Sequence, residues 1–207
     1  MARISVDRYA RMAPVYDLFT KRMLARGREA IVALCHKHGF GRVVDIGCGT
    51  GLLAEALHGA GIDVTGVDVS KSMLDIAHRR LPSTVRLVRS GVPIPFAENA
   101  FDASILAMVL HETATSTRTL LLDALRVAPA CLVLEWRMPE RNLDLPAQVL
   151  VHALERLAGR AHYAAFREYA YHGWLRGVTG DAAVTIAEEQ RLYGGTVTLA
   201  LVRRDAA

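Results

Sequence analysis

One stretch, Val43-Val44-Asp45-Ile46-Gly47-Cys48-Gly49-Thr50-Gly51, restricts what this chain can become more than any other. It begins as a short apolar run and ends in glycines at alternate positions. Beyond it, Leu52, Leu53, Ala56, Leu57 and Ala60 recur at helical spacing. That order reads as strand, glycine turn, helix. Glycine lets the main chain come close to a ligand that a side chain would hold off. The helix that follows aims unpaired N–H groups and a partial positive charge at the turn. The stretch is a small-molecule binding loop built from main chain.

Its spacing narrows the ligand. A dinucleotide fingerprint reads G-x-G-x-x-G and cradles a pyrophosphate. Here Gly47, Gly49 and Gly51 give G-x-G-x-G, with Asp45 just ahead of the first glycine. A carboxylate beside the loop repels a pyrophosphate and welcomes an ammonium group. Further on, Val64-Thr65-Gly66-Val67-Asp68 reads as a second strand ending in an acid. A carboxylate there accepts both hydroxyls of a ribose. An ammonium near Asp45 and a ribose near Asp68 together describe S-adenosylmethionine.

On these residues the chain resembles the class I S-adenosylmethionine-dependent methyltransferases. Val43 to Gly51 matches their first motif, Asp68 their ribose-binding acid, and Pro95-Phe96, Phe101-Asp102 and Leu110-His111 the pattern around their fourth strand. The likeness runs from about Tyr9 to Arg203 and is nearest the group of ubiquinone/menaquinone biosynthesis C-methyltransferases. It implies an α/β, Rossmann-like, doubly wound sheet of seven strands in the order 3-2-1-4-5-7-6, the last strand antiparallel, with helices on both faces. It implies one domain over residues 1–207, with an N-terminal lid over 1–28 and a substrate roof over 137–180. The lid would bring Tyr16 to the cofactor carboxylate and Tyr9 to the acceptor.

The same resemblance places the other cofactor contacts: Cys48 in the loop, Val69 and Met73 near ribose and adenine, Ser90, Gly91 and Val92 around the adenine, and Ala107 on the fourth strand. Many relatives carry an aspartate where Ser90 stands, so the adenine amino group would here meet a neutral acceptor. His111, past the fourth strand, is the candidate catalytic residue, as general base or substrate orienter; the competing reading makes it a helix cap or a lid over the cofactor. Trp136, Arg137, Tyr163 and Arg167 are expected to face the acceptor.

The pattern along the chain predicts strands over 42–46, 63–67, 84–88, 101–108, 131–136, 181–190 and 196–203. Helices alternate with the first five, with Ser70 as a cap, and Tyr193-Gly194-Gly195 makes a hairpin turn between the last two strands. Alternation at this spacing predicts right-handed crossovers and a parallel sheet. Between 137 and 180, Val149, Leu150, Ala153, Leu154 and Leu157 form one helical stripe, followed by the aromatic and histidine-rich run 162–172.

Composition excludes several other classes. No apolar run approaches the ~18 residues of a membrane helix, and the arginine-bearing start is unlike a secretory signal. Cys35, Cys48 and Cys131 are too few and too scattered for a disulfide framework or a zinc ribbon, which points to a reducing cytoplasm. His162 and His172 share no helical face with a third ligand, so no metal is expected. The net charge of +4 is spread without a basic block, so no nucleic-acid partner is expected. The expected function is methyl transfer from S-adenosylmethionine to carbon, nitrogen or oxygen of a small organic acceptor. Two readings from other classes stand beside it: a non-catalytic cofactor-binding protein acting through a partner, and a nicotinamide-dependent oxidoreductase, which the short glycine spacing and Asp45 oppose. Nothing in the sequence sets the oligomeric state.

Overall fold

A computed structural model describes residues 24–113, 116–137, 145–157, 159–180 and 183–205. Tyr9 and Tyr16 of the expected lid lie outside the described residues. Helix α1 (Ala25–His38) leads into β1 (Arg42–Ile46), α2 (Leu52–Gly59), β2 (Asp63–Asp68), α3 (Lys71–Arg80), β3 (Arg86–Arg89) and β4 (Ala103–Ala107). A 3₁₀ turn (Leu110–Glu112) follows, then α4 (Thr117–Val127) and β5 (Ala130–Trp136). Three helices follow, α5 (Leu145–Leu157), α6 (Arg160–Tyr171) and α7 (Trp174–Gly180), over the span where a substrate roof is expected, and then β6 (Val184–Leu192) and β7 (Val197–Arg204).

The strands form one sheet in the order β3-β2-β1-β4-β5-β7-β6. β1 pairs in parallel with both β2 and β4, and β7 runs antiparallel to β5 and β6. This is the expected order. It is the order that the family resemblance implies; β4 and β5 are apolar along nearly their whole length and β1 is buried from Val43 to Ile46, as strands covered on both faces must be. The carboxyl ends of β2 and β4 diverge from either side of β1 and leave a crevice there.

Several boundaries differ from the sequence expectation. α2 starts at Leu52, because Gly51 caps it in a left-handed conformation (φ 83°). β2 continues through Asp68, held in register with Arg89. β4 ends at Ala107 because Met108 turns left-handed (φ 58°), which swings the chain out of the sheet into the 3₁₀ turn. The connection between β6 and β7 is a 3₁₀ turn over Tyr193–Gly195, with positive φ at all three residues. Ser70 does cap α3, its hydroxyl accepting from the Met73 amide at 3.2 Å.

Candidate active site

The crevice at the strand ends is a cavity of about 300 Å³, within the lower range of ligand sites. Its floor is the glycine loop. A Cβ at Gly47 (φ 77°) would fall 2.4 Å from Val109 Cγ2, so only glycine lets the β4 turn pack on the loop. Gly49 has no heavy atom within 4 Å of where its Cβ would be, so its main chain faces open space. Loop and β2 are tied together: the Gly47 and Cys48 amides donate to Val67 O at 2.7 and 3.1 Å. The Asp68 carboxylate accepts from Gly49 N and Ser70 N, each at 2.8 Å.

The structure brings Gly47, Gly49, Asp68, Val69, Met73, Ser90, Gly91, Val92 and Ala107 together around this cavity. Sequence reasoning missed the far wall, where Met108, Val109, Glu112, Thr113 and Ser116 line it. The positive φ at Met108 that builds this wall leaves no mark in a run of apolar residues. Ser90 donates its hydroxyl hydrogen to the neighbouring Gly91 carbonyl at 3.2 Å.

Three expected cofactor residues do not line the cavity. Gly51 faces α3, where a Cβ would meet Leu81 at 2.9 Å. Cys48 is buried with its sulfur against Gly66, and burial holds its thiol well above the usual range. Asp45 is 1% exposed and its Oδ2 has no hydrogen-bond partner. Burial, reinforced by the charge of Asp68, pushes the Asp45 carboxyl up to about 7. A buried carboxylate oxygen left unpaired beside a polar loop fits a cationic group.

The expected acceptor residues also lie apart from the cavity. Arg167 is exposed on α6, and Trp136 and Arg137 line a separate cavity of about 180 Å³ with Trp174 and Glu189. Tyr163 stacks on Phe166 and hydrogen-bonds His152 at 3.1 Å. His111 is 3% exposed, its ring edge-on to His162 and Phe166 of α6. Its Nδ1 is 2.7 Å from Glu135 Oε1, and its amide donates to Glu135 Oε2 at 3.3 Å. Burial opposes charge on this ring, but the charge and hydrogen bond of Glu135 outweigh it and raise the imidazole to about 9. His111 is thus anchored to β5 rather than aimed into the crevice.

The sheet order, the glycine loop at the switch point of β1, and the acid ending β2 are those of the class I methyltransferase fold. The family described as "Methyltransferase domain" matches residues 44–129. The chain is 30% identical over 167 residues to the ubiquinone/menaquinone biosynthesis C-methyltransferase of Desulfotalea psychrophila, covering 75% of this chain and 68% of that one. It spans 29% and 58% of the length of two other curated relatives. An O-methyltransferase family protein from Burkholderia thailandensis superposes with a TM-score of 0.72 at 18% identity, over 99% of this chain and 62% of that one. The magnesium protoporphyrin IX methyltransferase from Synechocystis, solved with bound SAH, gives 0.62 at 19% identity over 87% and 83%. The chain belongs to the S-adenosylmethionine-dependent methyltransferases, in the family of the Desulfotalea protein.

Proposed function

We propose that this protein moves a methyl group from S-adenosylmethionine to a small organic acceptor entering the crevice beside the β4 turn. The observation that carries this reading is the cavity itself, walled by Gly49, Asp68 and Ser90 on one side and by Met108, Val109 and Thr113 on the other. The cofactor supplies a methyl on a sulfonium, already activated for displacement. The protein's work is therefore alignment and exclusion of water, for which effective molarities of roughly 10⁵–10⁸ M are attainable.

In this reading, Asp68, which already accepts from Gly49 N and Ser70 N, also accepts the ribose hydroxyls, and the amino-acid end of the cofactor lies along the glycine loop. Asp45 compensates the ammonium. Ser90 gives the adenine a neutral acceptor in place of a charged one. His111 positions the β4 turn through Glu135 instead of taking a proton from the acceptor. The relatives' quinone-pathway naming makes an aromatic ring carrying hydroxyl or activated carbon the first acceptor class to try. Incubating the protein with labelled S-adenosylmethionine and such acceptors is expected to yield a product one methylene heavier. Cofactor binding without turnover across the panel would favour a non-catalytic role.

The state of Asp45 gives the reading a pH dependence. Its folded value of about 7 lies above the usual 3.8, so the free protein carries this proton up to neutrality. An ammonium beside it favours the charged form. Cofactor affinity should therefore rise with pH through about 7 and level off above it. Asp45→Asn should flatten that profile in calorimetric titrations. A profile equally steep in the variant would remove Asp45 from this role.

A further inference from the structure

We propose that His111, Glu155 and His162 form a site for one divalent transition-metal ion of the zinc type, set between the roof helices and the turn after β4. The three side chains come from three elements: the 3₁₀ turn, α5 and α6. Glu155 Oε2 lies 2.5 Å from His162 Nε2 and 3.7 Å from His111 Nε2, and one ligand-type atom from each of the three residues lies within 4.8 Å of the others. Bonds of about 2.0–2.2 Å in a tetrahedral zinc centre put ligand atoms ~3.3 Å apart. The present separations bracket that value, so a movement of Glu155 Oε2 on the order of 1 Å admits the ion.

The surroundings match those of a metal centre. Ligating histidines hand their far nitrogen to a carboxylate, which fixes ring and tautomer. His111 Nδ1 does so, 2.7 Å from Glu135 Oε1, while Glu112 Oε1 lies 3.9 Å from His162 Nδ1, a charge contact longer than a hydrogen bond. Glu155 Oε1 accepts from Trp136 Nε1 at 2.8 Å, which leaves Oε2 turned to the two imidazoles.

Convergence of two ring nitrogens, both Nε2, on one carboxylate oxygen separates this reading from a plain ion-pair network. A dication satisfies that convergence without protonating either ring, and two imidazoles with one carboxylate suit zinc better than magnesium or calcium. Three protein ligands leave a fourth position for water. An ion here fastens α5 and α6 to the turn whose Glu112 lines the crevice, so the roof is latched over the cofactor floor. The sequence hid the site because its ligands do not share one helix.

The test uses the whole chain, stripped with chelator, desalted and loaded with Zn²⁺ or Co²⁺. One equivalent per chain by elemental analysis, visible Co²⁺ bands of low coordination number and a raised melting temperature are expected. Removing an outer partner of a metal ligand costs about 10–100-fold in affinity, so His162→Ala and Glu155→Gln should lose at least that much and Glu135→Gln a part of it. His172→Ala, on the exposed end of α6, should bind as the parent does. Substoichiometric metal in the parent, or undiminished binding in folded His162→Ala, overturns the proposal. The readout is bound metal, so its outcome does not depend on methyl transfer.

Discussion

Asp68→Ala should weaken S-adenosylmethionine binding by about 10²–10⁴-fold, the value of two charge-assisted hydrogen bonds at roughly 1.5–3 kcal/mol each. The carboxylate sits at the end of β2 on the cavity wall. It also accepts from Gly49 N and Ser70 N, so alanine would loosen the glycine loop as well as remove the ribose acceptor. The two effects can be separated. Loss of the loop tie lowers the melting temperature of the cofactor-free protein, whereas loss of the ribose acceptor appears only in the titration. Asp68→Asn keeps part of the loop tie, so it should recover most of the stability and little of the affinity. Calorimetry giving Asp68→Ala the parent's affinity would dismiss the ribose assignment.

Glu135→Ala should be the most destabilising single change in the polar interior, at about 3–5 kcal/mol. Glu135 is fully buried on β5 and accepts from His111 Nδ1, the His111 amide and the Trp136 amide. Alanine leaves those donors buried without a partner, each costing about 1–3 kcal/mol. A domain stable by only ~5–15 kcal/mol loses a large share of its margin. Urea unfolding of the metal-free protein measures it, and an unchanged midpoint would contradict the buried-pair account. The pair also sets a pH dependence. The folded His111 ring is raised to about 9 from the usual 6.5, so its stabilising contribution is complete below about 6.5 and is lost as pH rises through about 9. In Glu135→Ala that loss at alkaline pH should shrink.

The crevice at the ends of β1, β2 and β3 was legible because its information is local. Gly47, Gly49 and the acid closing β2 lie on adjacent strands joined by one crossover, so spacing alone predicts that they meet. The same holds for Ser90, Gly91 and Val92, which follow β3 directly. Tyr163 and Arg167 were expected in the acceptor pocket on local aromatic and charge content, yet α6 turns Tyr163 toward His152 and leaves Arg167 in solvent. Nothing in a helical run says which neighbour will cover it.

What the sequence by itself determined is the alternation of strand and helix, the glycine loop and the acid that ends β2; the order of the strands came only with the resemblance to a known family. Apolar runs covered on both faces call for a parallel sheet with helices on either side. Tertiary structure alone decided that one oxygen of Asp45 is buried without a partner, that Met108 bends the chain to make the second cavity wall, and that His111, Glu155 and His162 converge. The physical reason is range. Hydrophobic periodicity and turn chemistry act between neighbours in the chain. The charge state and partners of a buried group depend on segments folded from 24 residues away for His111 and Glu135, a separation no pattern of near neighbours encodes.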